Sequence, residues 1–181
     1  MSYELQALIG TFELLAVAAA ETSAARVVPL AQGLALIPVT PAVLSALQTD
    51  GGSTKPAEAA GFGWHPGGFE LRLAAWSKAG PIACVEAEYF GGSGTQRAAV
   101  WEDGRIVLGP LTKGEFEPFP PEGSPISRAL RRIGARTEAG RVDEFASVGL
   151  SAHRGTSGWA GGCRSVSVGG GVGLSPPRAV S

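Results

Sequence analysis

Two glutamates, Glu86 and Glu88, stand two residues apart in a β-prone run and so project from one strand face, roughly 7 Å apart by strand rise. Paired carboxylates can transfer protons or hold a hard cation. The plainer account is that they solvate an exposed sheet face, and no catalytic role is assigned to either. Gly91-Gly92-Ser93-Gly94-Thr95 has the glycine content of a phosphate loop. It lacks the lysine of that motif and is followed by strand-like rather than helical residues, so it reads as a turn. GGGVG at 169–173 likewise has no strand–helix context.

His65 and His153 are the only histidines, and Cys84 and Cys163 the only cysteines. None has the spacing of a zinc site or a nucleophile elbow, so neither metal nor cofactor is expected. Two cysteines are too few for a disulfide framework and are read as reduced thiols in a cytoplasmic protein. Arg128, Arg131, Arg132 and Arg136 form a basic cluster, which reads as a solvated helix face that complements the helix dipole.

The element that positions the glutamates is a three-stranded meander over 81–111. If Gly91 to Gly94 form a four-residue loop, Phe90 faces Thr95, Glu88 faces Arg97, Val85 faces Val100 and Cys84 faces Trp101. Asp103-Gly104 then makes a tight turn that pairs Trp101 with Ile106 and Val100 with Val107. Alternation sorts Val85, Ala87, Tyr89, Gln96, Ala98, Val100 and Val107 onto an apolar face that should meet helices. The opposite face is mixed, with Ile82, Cys84, Glu86, Glu88, Phe90, Arg97 and Trp101. Glu88 and Arg97 are expected to pair across the strands, leaving Glu86 without a partner.

Around the meander, residues 5–19 repeat apolar side chains at helical spacing, which predicts an amphipathic helix. RVVPL and LALIPV read as short β segments turned by Gln32-Gly33. Thr40-Pro41 opens a helix through Leu47, and 49–61 is a polar loop. Phe69, Leu73 and Trp76 predict a helix, although Phe69, Leu71 and Leu73 also alternate as a strand would. Ser124 should cap a helix from Pro125, and Asp143 a shorter one that Gly149 ends. From Ser151 the composition turns rich in Gly, Ser and Pro. Residues 155–181 are expected to be a disordered tail whose loss changes stability little.

The run Glu86-Ala87-Glu88-Tyr89-Phe90-Gly91-Gly92, followed by Gly94, Gln96 and Trp101, resembles a segment of small uncharacterised bacterial proteins. A Ser-Pro-Ile-Ser-x-Ala-Leu helix and an Asp-Glu-Phe helix follow in them, as at 124–130 and 143–145 here. The resemblance covers roughly 66–154 and implies no activity, so no residue role transfers.

At 181 residues, 44% apolar and with net charge −1, the chain has a real core and no general affinity for phosphate backbones. LLAVAAA at 14–20 lacks the positive flank of a signal peptide, and no apolar run is long enough to span a bilayer. No nucleic-acid or membrane partner is expected. The reading is one α+β domain, 1–154, with an antiparallel sheet centred on the meander and helices packed mainly on one face. It is expected to bind another protein, in an immunity- or antitoxin-like role, through Glu86, Glu88, Phe90, Arg97 and Trp101. The alternative is a hydrolase using Glu86 and Glu88.

Overall fold

The computed structural model describes residues 1–49 and 61–161. The expected polar loop lies almost wholly outside them, as do Cys163 and the GGGVG run. The chain is α+β. Six strands, β1 (Ser2–Thr11), β2 (Val28–Pro29), β3 (Leu34–Pro38), β4 (Ile82–Phe90), β5 (Ser93–Glu102) and β6 (Arg105–Lys113), form one sheet. Their order is β2-β3-β1-β4-β5-β6 and every neighbouring pair is antiparallel. The helices are α1 (Phe12–Ala20), α2 (Pro41–Thr49), α3 (Phe69–Trp76), α4 (Pro125–Arg132), α5 (Glu144–Val148) and α6 (Thr156–Gly161).

The N-terminal segment departs from its expected helix. Ser2–Thr11 is a strand between β3 and β4, and only Phe12–Ala20 is helical. A strand buried on both faces is nearly continuous in apolar residues and is hard to tell from a buried helix by period. Leu5, Ala7 and Ile9 pack on one side of the sheet and Leu8 on the other. Thr11 ends the strand and caps α1, its Oγ1 accepting from the Leu14 amide.

The meander forms, with a tighter first turn than expected. Gly91 and Gly92, at φ 61° and 88°, supply the positive φ that a two-residue hairpin turn requires. Phe90 therefore faces Ser93, Glu86 faces Arg97 and Glu88 faces Thr95. The slip is two residues, so each side chain keeps its face while each partner changes. Trp101 pairs with Ile106 as expected, but a bulge places Val100 opposite Leu108 rather than Val107.

Helices lie on both faces rather than mainly on one. The core under α4, α5 and α6 gathers Leu5, Ile9, Val85, Val100, Leu130 and Trp159. A second core under α1, α2 and α3 gathers Leu8, Leu15, Val43, Leu73, Cys84 and Trp101. The mixed face is thus two halves, one covered by helices and one polar. α3 takes the helical alternative, and its Trp76 indole donates to the Glu21 carboxylate at 2.6 Å.

Residues 155–161 do not belong to a disordered tail. β3 pairs only Ala7 to Thr11 of β1, which leaves the amides of Glu4 and Gln6 open on that side. The Arg154 carbonyl accepts from the Glu4 amide at 2.9 Å and Thr156 Oγ1 from the Gln6 amide at 3.0 Å. α6 follows, with Trp159 4% exposed in the first core. Backbone satisfaction along a central strand is what ties this segment down.

Candidate functional site

The polar half of the second face is built from cross-strand rows. Gln6, Glu86, Arg97 and Thr112 are successive partners on β1, β4, β5 and β6. Glu4, Glu88 and Thr95 form the adjoining row. Phe90, 79% exposed, closes the face at the end of β4. A groove of about 390 Å³ runs along it, lined by Glu4, Gln6, Glu86, Glu88 and Phe90 among others.

Arg97 is spent largely within the protein. Its guanidinium donates to the Gly61 carbonyl, sits 5.9 Å from the Phe62 ring centroid and lies 3.7 Å from the Glu86 carboxylate. The ion pair is therefore to Glu86, not Glu88, because the hairpin is two residues tighter. Glu88 stands between Thr95 and Glu4, so like charges lie directly opposite across β1 and β4.

Glu86 is half-buried, and burial pushes its carboxyl above the usual range. Arg97 pulls it down, Glu88 adds to the rise, and the Trp64 indole N–H and Gln6 amide lower it slightly. A folded pKa above the unfolded one means the native state prefers the protonated form. That contribution to stability is complete below the unfolded pKa and is lost as pH rises through the folded value. Glu86→Gln is accordingly expected to be no less stable than the parent at neutral pH. Its advantage should vanish as pH falls to about 4, measured by urea melts across that window. A clear loss of stability at neutral pH would show that Arg97 outweighs burial.

Trp101 is not part of this surface. At 3% exposed it lies in the second core, 6.2 Å from the His65 ring. Glu86, Glu88, Phe90 and Arg97 do share the open half.

No motif or spacing marks the contact between His65 and Cys84, which are 3.1 Å apart (Nε2 to Sγ) and both buried. Phe62 stacks on the His65 ring at 4.7 Å and Phe69 meets it edge-on at 4.9 Å. Burial lowers His65 to about 3, and burial followed by the Glu86 charge pushes the Cys84 thiol up. At neutral pH the pair is a neutral imidazole and a thiol. A reactive cysteine needs the thiolate, so this contact packs the core and does not make a nucleophile.

Among the described residues no cluster of His, Cys, Asp and Glu has the makings of a metal site, and no helix is long and apolar enough to cross a membrane. No family model matches the chain, and neither a curated protein nor a solved structure does.

Proposed function

We propose that the chain is a cytoplasmic protein-binding module that docks a basic surface of another protein on the polar half of its sheet. The observation that carries this reading is the gathering of Glu4, Glu86 and Glu88 on a face whose arginine is already engaged from within. Such a face attracts a basic partner, speeds encounter and repels nucleic acid. Phe90 at the rim supplies the exposed aromatic anchor that hot spots favour. An immunity- or antitoxin-like role is the most concrete form of the proposal. A toxin that cuts nucleic acid carries a basic substrate cleft, which an acidic sheet face can block.

The test is quantitative capture of the partner from host lysate at two salt concentrations, with melting curves for every variant. Phe90→Ala is expected to weaken capture by about 2 kcal/mol. Glu88→Lys should abolish it, and added salt should weaken the parent complex. Capture that is indifferent to Glu88→Lys overturns this docking face.

A second reading, a hydrolase using Glu86 and Glu88, is favoured by one observation, the raised pKa of Glu86. A carboxyl whose pKa is raised by burial gives up its proton less readily, which is the direction that suits a general acid. A folded Glu86→Gln protein that keeps its partner yet loses a measurable turnover would make this the leading reading.

A further inference from the structure

On the opposite face of the same strands, beyond the ends of α4 and α5, the sheet floor opens into a cleft of about 600 Å³. Its walls are aromatic. Tyr3 and Tyr89 are cross-strand partners on β1 and β4, and Phe145 meets Tyr3 edge-on at 5.6 Å. Phe119, from the connection between β6 and α4, forms another side. Concave, mainly apolar spaces of about 300–1,000 Å³ with a few polar groups are what small-molecule sites look like.

The charges around it favour an anion. Lys113 is 6% exposed behind the wall, its ammonium 5.7 Å from the Tyr89 ring centroid and 5.0 Å from that of Phe119. It donates to the Gly94 carbonyl at 2.9 Å and the Glu115 carbonyl at 3.4 Å, and has no ion-pair partner among the described residues. Arg154 lines the cleft, is exposed, and its side chain also lacks an ion-pair partner among the described residues. Asp143 is the one carboxylate in the lining among the described residues, and its Oδ1 already accepts from the Ala146 amide. A cationic ligand against Tyr89 and Phe119 would be repelled by the Lys113 ammonium close to both rings.

We propose that this cleft binds a small planar aromatic anion. Its ring lies against Tyr3, Tyr89, Phe119 and Phe145, and its carboxylate or sulfonate meets Arg154. Tyr3 and Tyr89 belong to the strand positions that alternate with Glu4, Glu86 and Glu88, so the cleft lies on the other side of the sheet from the protein-docking face.

The experiment is an NMR titration of the full chain with naphthoate, naphthamide and naphthylmethylammonium, which share a ring system and differ in charge. Naphthoate is expected to bind at one saturable site, with shifts centred on Tyr3, Tyr89 and Phe145. It should bind about tenfold or more tighter than the amide, as a charge-assisted bond implies, with the ammonium weakest. Arg154→Gln should bring naphthoate to the level of the amide and leave the amide unchanged. Phe119→Ala, at an exposed position, should weaken both. Absence of saturable binding, equal affinity for the three charges, or a naphthoate affinity indifferent to Arg154→Gln overturns the proposal.

Discussion

Trp159→Ala is expected to cost the fold about 3–5 kcal/mol, the usual range for removing a buried aromatic side chain. The ring is 4% exposed, packs with the first core and meets His153 edge-on at 4.5 Å. In a domain of this length that loss should lower the melting temperature by roughly 10 °C. Two companion variants locate the cause. The indole N–H has no hydrogen-bond partner among the described residues, so Trp159→Phe should recover most of the loss by keeping an aromatic ring there and removing an orphaned donor. Ending the chain after Arg154 should be at least as damaging as Trp159→Ala, since it also strips Thr156 Oγ1 from the Gln6 amide. Ending it after Gly161 removes a Gly/Ser/Pro-rich segment and should change stability by less than about 1 kcal/mol. Equal stability of the two truncations would mean that α6 does not hold the open side of β1.

The composition that made 155–181 read as one tail averages over a short helix, and a single tryptophan carries that helix's attachment. Nothing in the local pattern shows this, because its cause is remote: β3 is too short to pair the start of β1. The same dependence on distant elements explains Trp101. Alternation correctly assigned its face, but what covers a face is set by where α1, α2 and α3 go. With 5–11 read as helix, the central strand that leads α1 to the same face as Trp101 goes unseen. The capping signals at Ser124, Asp143 and Thr40 were legible because the groups that satisfy them lie three residues away. The aromatic cleft left no mark. Phe119, Val142 and Arg154 reach it from separate connections, which carry no periodicity.

Gly94→Ala should be the most damaging single methyl that can be added to the hairpin. A Cβ at Gly94 would collide with the Glu88 carbonyl oxygen and stand 2.7 Å from both Cα and Cγ of Tyr89. Two of those atoms are backbone of the facing strand, so no rotamer change relieves the clash, and β4 and β5 must separate locally. The expected cost is about 3 kcal/mol, the upper end of ordinary overpacking. The Lys113 bond to the Gly94 carbonyl and the Tyr89 wall of the cleft should be disturbed with it. Gly92→Ala is the control. Gly92 has φ 88° but nothing within 4 Å of an added Cβ, so it bears only the left-handed backbone penalty of about 1 kcal/mol. The comparison also decides the register. In the looser hairpin that the sequence alone suggests, Gly94 is a loop residue, Tyr89 faces Gln96 and an alanine at 94 meets no strand. In the observed one, Tyr89 lies directly across from Gly94 and Glu86 takes Arg97. Urea melts in which Gly94→Ala is no worse than Gly92→Ala would favour the looser register, and would return Arg97 to Glu88. A loss two to three times larger at Gly94 is the outcome that the close approach of Tyr89 requires.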